Sequence, residues 1–242
     1  MMIDVKYFSK TTLKTYKAIN LILIASFLVI YIIYYIYIGI KSVEEAQWLR
    51  IILLCIISVL LVTNTVVFSI EAVRKAKVEK NVANFIELKQ YNDAIEFLRK
   101  IASINRFYNI NQMILYYLGY LELLLDKPAQ AITYLEKFNL DKQSSSNARY
   151  LSSTIFLLYL IHYINNDSSA LKKIHEVYIA KKNYLLKAAR WAKLKNEMVY
   201  LFEIIDFLNN KDINQAAEKI VKSRLINIPI VERFFKDKQS NN

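Results

Sequence analysis

Residues 18–40 of the chain read AINLILIASFLVIYIIYYIYIGI, and residues 51–70 read IILLCIISVLLVTNTVVFSI. Neither run contains a charged side chain, and each is long enough to cross a hydrocarbon layer about 30 Å thick at about 1.5 Å of helix per residue. A secretory signal peptide would explain only the first run, and its apolar core would be shorter, about 7–15 residues. The two runs therefore predict a membrane-spanning helical hairpin with a short external loop at 41–50.

The charges beside these runs predict the orientation of the hairpin. Residues 1–17 carry four lysines and one aspartate, whereas the loop 41–50 balances two basic residues with two acidic ones. Basic residues follow the second run at once, beginning with Arg74. Because basic flanks stay in the cytoplasm, we expect both termini there and a multi-pass protein in the plasma membrane.

Polar side chains inside the two runs predict a contact between the spans. Asn64 lies about 20 Å from the outer end of its run at about 1.5 Å per residue, a depth that matches Ser26 on the first run. A hydrogen bond between Ser26 and Asn64 would join the hairpin, or two copies of the chain in a homodimer. An ion pathway is the alternative, but both runs lack the intramembrane charge that transporters use.

The composition excludes several classes of protein. The whole chain has 2 glycines, 2 prolines and 1 cysteine. Phosphate loops and dinucleotide fingerprints need clustered glycines, and an intramolecular disulfide needs a second cysteine. His162 and His175 lack a metal-ligand spacing, and the chain has neither a serine elbow nor an activated cysteine. The sequence therefore predicts an all-α protein that is not an enzyme and holds no cofactor or metal.

The rest of the chain, 71–242, predicts helices that pair in repeats. Residues 89–101, KQYNDAIEFLRKI, and 126–138, DKPAQAITYLEKF, share a polar turn, a small alanine, and bulky apolar residues four and seven positions later. Weaker copies occupy 166–177 and 211–223. The alanines of the four copies stand 37, 39 and 46 residues apart; they are Ala94, Ala131, Ala170 and Ala216.

In this pattern the chain resembles the tetratricopeptide repeat (TPR), in which helix A of each helical hairpin packs closely on helix B. Leu118-Gly119 stands just upstream of Ala131, as the family's Leu-Gly pair does. The spacings exceed the family's period of about 34 residues, and the family's tryptophan and proline are absent, so a generic helical bundle is the alternative. The resemblance implies a cytoplasmic TPR-like α-solenoid over residues 71–236, followed by a polar tail at 237–242.

The resemblance also implies a ligand groove, because fixed positions of each helix A line the concave face in the family. These positions fall on four tyrosines and one histidine: Tyr116, Tyr120, Tyr159, His162 and Tyr163. An aromatic wall of this kind would accept a peptide or an amphipathic helix, since it offers apolar area with hydroxyls that orient a backbone. The alternative is that these rings fill the core of the domain.

A basic stretch is a further candidate surface. Residues 172–195 hold eight basic side chains and one acidic one. The candidates on this surface are Lys181, Lys182, Lys187, Arg190, Lys193 and Lys195. Such a helix would lie against the anionic bilayer surface, where each charge contributes about 1 kcal/mol, or bind an acidic partner, unless it is only a solvated face. Nucleic-acid binding is not expected, because no recognition motif accompanies the charge.

Together these features predict a membrane-anchored protein that recruits or senses a protein or peptide partner through a cytoplasmic TPR-like groove. The alternative is an immunity or accessory factor of a bacterial toxin, peptide-export or transporter system that acts through its spans. The chain is rich in Ile, Lys and Asn, which suggests an AT-rich bacterial genome. This composition is only an association with such bacterial roles and supplies no mechanism that would distinguish an adaptor from an immunity or accessory factor. Replacing both spans with an unrelated hairpin would separate the two, because only the adaptor would keep its activity.

Overall fold

The computed structural model describes residues 24–25, 28–36, 47–104, 108–141, 147–191, 195–222 and 227–240. Within these ranges the chain forms helices and turns and no strand, which confirms the all-α prediction. The labelled helices are α1 (Gln47–Glu87), α2 (Tyr91–Ile104), α3 (Tyr108–Leu124), α4 (Pro128–Leu135), α5 (Ala148–Ile164), α6 (Ser168–Trp191), α7 (Lys195–Asn209), α8 (Ile213–Lys222) and α9 (Pro229–Ser240).

The chain divides into two compact units. The first contains residues 1–81 with 103–107, and the second contains residues 82–102 with 108–242. We call the second unit the helical domain. The boundary expected at residue 70 lies inside α1, which continues without a break from Gln47 to Glu87.

One helical segment among the described residues, Ile51–Glu87, is long and apolar enough to cross a membrane. Most of its apolar side chains are exposed along the predicted span, with Ile51 at 62% and Leu61 at 63%, whereas Leu53 is buried. Residues 28–36 of the first apolar run are also helical, and their apolar side chains are exposed too, Ile32 at 56%. The other residues of that run, except 24–25, lie outside the described ranges.

In the helical domain, successive helices pack as hairpins. α3 packs against α4, α5 against α6, and α7 against α8. The first helices of these hairpins also pack in order, α3 on α5 and α5 on α7. The second helix of one hairpin contacts the first helix of the next, as α4 does with α5 and α6 with α7. The helix α5 is therefore covered by neighbours, and its residues from Tyr150 to His162 are almost all buried.

The same turn joins the two helices of each hairpin, and it also joins α1 to α2. Its central residue has a positive φ of 55–61°, and the four residues concerned are Lys89, Asp126, Asn166 and Lys211. In the turn after α3, the N–H of Asp126 donates to the Leu123 carbonyl at 3.0 Å and that of Lys127 to the Glu122 carbonyl at 2.9 Å. The other three turns repeat this pair of bonds. This Schellman turn usually contains glycine, but here Lys, Asp and Asn fill the position.

Small residues lie where α3 and α4 approach most closely. A Cβ atom on Gly119 would stand 2.5 Å from Cγ of Leu135 and 3.3 Å from the carbonyl oxygen of Ala131. The alanine position of the repeat is fully buried at Ala94, Ala131 and Ala216. Ala170, in the third copy, is partly exposed. The alanine pattern in the sequence therefore marks helix contacts in three of the four copies.

Candidate interaction surface

The five side chains predicted to line a groove lie on α3 and α5, two helices that pack against each other. Tyr159 and His162 are buried, with exposures of 1% and 6%. Tyr116, Tyr120 and Tyr163 are partly exposed. Tyr120 and Tyr163 can therefore meet a ligand directly, whereas Tyr116 is largely enclosed by neighbouring rings and the two buried residues belong to the core.

Tyr116 is at the centre of a tyrosine cluster between α3 and α5. Its ring stacks on Tyr120 with a centroid distance of 6.2 Å and lies 5.5 Å from the ring of Tyr150. The Tyr116 hydroxyl also shares a hydrogen bond with Ser153 of α5. Burial, followed by the neighbouring tyrosines, raises the pKa of Tyr116 well above its ordinary value. The cluster joins the two helices and leaves Tyr120 partly exposed.

Tyr159 belongs to a second aromatic cluster, which joins α5, α6 and α7. Its ring lies 6.0 Å from His175, and His175 lies 5.7 Å from Tyr178. Tyr178 in turn meets Phe202 edge-on at 5.3 Å. Burial raises the pKa of Tyr159 to about 12. This tyrosine therefore faces the interior of the domain, although it stands only one turn from Tyr163.

Asp206 of α7 anchors a polar contact beside the second cluster. The Tyr178 hydroxyl donates to Oδ1 of Asp206 at 2.8 Å, and Nζ of Lys182 donates to Oδ2 at 2.8 Å. Burial and then the bond to Asp206 raise the pKa of Tyr178. Sequence reasoning missed Asp206 because it is an isolated acid. The spacing of Tyr178 and Lys182, one helical turn apart, is the signal that could have suggested a shared partner.

The basic stretch is only partly available as a surface. Nζ of Lys181 donates to the Asp141 carbonyl at 3.0 Å, and Lys182 is paired with Asp206. Lys187 is exposed. Lys193 lies outside the described residues, and the side chains of Arg190 and Lys195 are not among those described. Of the five lysines in this stretch whose side chains are described, Lys181 and Lys182 therefore bond to other parts of the domain, whereas Lys172, Lys173 and Lys187 are exposed.

His162 and Glu122 have structural partners near the hairpin turns. Nδ1 of His162 lies 3.4 Å from Oδ2 of Asp167, whose Oδ1 accepts the N–H of Ala170 at the start of α6. Glu122 is 2% exposed, and its Oε1 lies 3.5 Å from Nη2 of Arg99 on α2. Within the described part of the chain, no group of three His, Cys, Asp or Glu side chains is placed to bind a metal ion.

The C-terminal helix α9 packs against α3 and covers part of the candidate surface. Both Nη atoms of Arg233 donate to the two carboxylate oxygens of Asp126, each at 2.7 Å. This hydrogen bonding lowers the pKa of the Asp126 carboxyl. Beside it, the ring of Phe234 meets the ring of Tyr163 edge-on at 6.0 Å. The sequence did not predict this contact, and the apolar spacing of α9 was the available signal.

The polar side chains of the second predicted span bond within their own helix. Nδ2 of Asn64 donates to the Leu60 carbonyl at 2.8 Å, and the Ser58 hydroxyl donates to the Leu54 carbonyl at 2.8 Å. Such bonds satisfy polar groups where water is absent. Ser26 lies outside the described residues, so its pairing with Asn64 stays a prediction.

Comparisons with family models, with curated proteins and with solved structures found no match to this chain. Its fold and surface define an all-helical protein of packed hairpins in which one described helix can cross a membrane.

Proposed function

We propose that the chain is a membrane-anchored protein–protein interaction protein. In this proposal, two N-terminal spans hold a TPR-like helical domain at the cytoplasmic face of the plasma membrane, and the domain recruits or senses a helical partner. The observation that carries the proposal is the recurrence of one hairpin plan: the four positive-φ turns at equivalent positions and the ordered packing of α3, α5 and α7. Stacked helical repeats of this kind characteristically present a binding surface along one set of helices.

The exposed apolar side chains of both N-terminal runs support the membrane anchor. Leu54 and Val62 are 63% and 62% exposed, and apolar side chains exposed on this scale would be strongly unfavourable in water. The basic residues that follow support a cytoplasmic position for the domain. Lys77 and Lys80 are exposed on α1 just beyond the predicted span, where the positive-inside rule expects them.

The candidate surface on α3 and α5 suits a helical partner better than a small molecule. Tyr120 and Tyr163 are partly exposed on neighbouring helices, and each tyrosine combines an apolar ring with a hydrogen-bonding hydroxyl. Amphipathic helices bind such surfaces through apolar side chains at helical spacing. The partner we propose is therefore a protein segment that forms an amphipathic helix.

A photoreactive side chain at position 120 tests this proposal in intact membranes. Benzoylphenylalanine in place of Tyr120 should form adducts with a second protein after irradiation. The same group in place of Thr133, an exposed residue of α4, is the matched control and should give few adducts. Equal adduct yields at the two positions would contradict a partner surface on α3.

Exchange of the spans separates this role from the alternative, an immunity or accessory factor acting in the membrane. Replacing residues 18–70 with an unrelated two-span hairpin should leave the adducts at position 120 unchanged, because the spans serve only as an anchor. Adducts that disappear with the native spans would instead place the partner's recognition within the membrane.

A further inference from the structure

The C-terminal helix α9 is amphipathic and buries one face against the helical domain. Ile228, Val231 and Phe235 are 0%, 2% and 1% exposed. Val231 and Phe235 are one turn apart on the same side of α9, and Ile228 stands immediately before the first residue of the helix. Lys236 and Arg233 are exposed on the other side. The helix therefore has the features of a helical ligand: an apolar stripe with charges beside it.

The position of α9 is unusual for the last helix of a repeat array. It follows α8 in sequence, yet it packs against α3, and Arg233 binds Asp126, a residue 107 positions earlier. Asp126 is the positive-φ residue of the turn after α3, and Phe234 contacts Tyr163 near the end of α5. Thus α9 occupies the ends of two of the helices that form the candidate surface.

The helix α9 depends on this contact for its own stability. It has 12 residues, and an isolated helix of that length is marginal in water. Its ion pair is exposed, with side-chain exposures of 62% for Arg233 and 36% for Asp126, so the pair contributes specificity more than affinity. Burial of Val231 and Phe235, together with Ile228 just before the helix, therefore contributes more to holding α9 than the ion pair does.

We propose that α9 is an internal ligand of the α3–α5 surface and that a partner's amphipathic helix competes with it. The partner segment would carry apolar residues with the spacing of Ile228, Val231 and Phe235, and an arginine in the place of Arg233 that binds Asp126. This inference rests on the proposed recruitment function and adds its regulation: the surface is closed by the chain's own helix until a better ligand displaces it.

A labelled peptide of residues 227–240, NIPIVERFFKDKQS, tests the inference on the full chain in detergent micelles. Phe235→Asp in the chain should release α9, because a charged side chain cannot occupy the buried position. Fluorescence anisotropy should then show the peptide binding this variant at least about tenfold more tightly than the wild-type chain, whose own helix competes at a high effective concentration. A peptide that itself carries Phe235→Asp should not bind.

Charge reversal tests the specific contact. Adding Asp126→Arg to the Phe235→Asp chain should lower its affinity for the wild-type peptide about threefold or more. A peptide that carries Arg233→Asp should recover the lost affinity, because the charge pair is then restored in reverse. Glu203→Arg is the matched control, because Glu203 pairs with Lys219 elsewhere in the domain at 2.7 Å. It should leave the peptide affinity unchanged.

Circular dichroism verifies that the Phe235→Asp chain keeps the helices other than α9. If the Phe235→Asp chain loses other helices, the Arg233→Asp chain is used in its place. Arg233 is exposed and lies outside the core, so this substitution should keep the fold and open the surface to a smaller degree. A folded variant that fails to bind the peptide, or a peptide that binds wild type equally well, would overturn the inference. In the Phe235→Asp chain, whose surface α9 no longer closes, peptide binding without partner adducts at position 120 would support the internal ligand and contradict the recruitment function.

Discussion

Gly119 of α3 lies so close to Leu135 of α4 that a Cβ atom on the glycine would stand 2.5 Å from Cγ of Leu135. The glycine carries no positive φ, so its role is to allow the close approach of two helices. The carbonyl of Ala131, 3.3 Å from the same point, closes the other side. The α3–α4 hairpin therefore depends on the absence of a single methyl group.

We expect Gly119→Ala to destabilise the helical domain. Alanine in a helix is favoured over glycine by about 1 kcal/mol, whereas forcing a methyl group into a packed contact costs about 1–3 kcal/mol. The contact distance lies well below normal packing, so the steric cost should dominate, with a net loss of about 1–2 kcal/mol. Urea unfolding followed by circular dichroism measures it.

The control for this prediction is Leu135→Ala, which makes room for the added methyl group. On that background, Gly119→Ala should cost much less or become stabilising, because the helix-propensity gain of about 1 kcal/mol is opposed only by the tight contact with the Ala131 carbonyl. A substitution at Gly119 that destabilises both backgrounds equally would show that the contact with Leu135 is not the cause.

Lys211→Gly should stabilise the domain. Lys211 has a φ of 61° in the turn between α7 and α8, a conformation that costs an L-residue about 1 kcal/mol and glycine very little. We expect a gain of up to about 1 kcal/mol in the free energy of unfolding. Lys172→Gly, at an exposed position inside α6, should instead lose about 1 kcal/mol. A loss of stability in both glycine variants would contradict the left-handed conformation of Lys211.

Stability should fall at alkaline pH because of the buried tyrosines. The pKa of Tyr159 is raised from 10.0 to about 12, and that of Tyr178 is raised too. Because each pKa is higher in the folded state, the stabilising contribution of these tyrosines is fully present below pH 10, their pKa in the unfolded chain. It is lost as the pH rises through their pKa in the folded state. Unfolding curves between pH 9 and 12 should show this loss, and tyrosinate absorbance should rise with it.

Tyr178→Phe provides the matched comparison in this titration. The variant loses the hydrogen bond to Asp206, so it should be less stable at neutral pH by about 1 kcal/mol. Because phenylalanine does not ionise, the difference between the two proteins should shrink above pH 10. A stability difference between the two proteins that stays constant up to pH 12 would mean that the pKa of Tyr178 is the same in the folded and unfolded chain.

Cys55 provides a test of the membrane anchor, because it is the only cysteine of the chain and is exposed on α1. In intact membranes it should resist a membrane-impermeant maleimide, since lipid disfavours the reactive thiolate. It should react once the membrane is dissolved in a denaturing detergent. Labelling of Cys55 in intact cells would contradict a span at this position.

Two further cysteine positions test the orientation on a Cys55→Ser background. Glu45→Cys, in the predicted external loop, should react with the impermeant reagent on intact cells. Lys80→Cys, beyond the second span, should react only after the inner face is opened. The reverse pattern would mean that both termini lie outside.

Local features of the domain were predictable from sequence because they depend on neighbouring residues. The alanine positions mark helix contacts at Ala94, Ala131 and Ala216. A polar residue fills the turn before each of these alanines, as Asp126 does before Ala131. Both follow from helical periodicity and from the few residue types that fit a tight turn.

Features that depend on distant segments were not predictable. Tyr159 and Tyr163 are one turn apart on α5 and were expected to share a wall, but Tyr159 faces His175 of α6 and Tyr163 faces Phe234 of α9. The neighbour of the Tyr163 ring depends on where α9 packs, and the neighbour of the Tyr159 ring depends on where α6 packs. The pairing of Arg233 with Asp126 spans 107 residues, and no local pattern encodes such a distance.

The most direct test of the central claim is photocrosslinking from position 163 in native membranes. Benzoylphenylalanine in place of Tyr163 should form mainly an internal adduct with α9 in the otherwise wild-type chain. With Phe235→Asp added, adducts with a second protein should rise, and an excess of the 227–240 peptide should suppress them. Adducts with a second protein that the peptide does not reduce, or that form equally from position 133, would contradict the proposed surface.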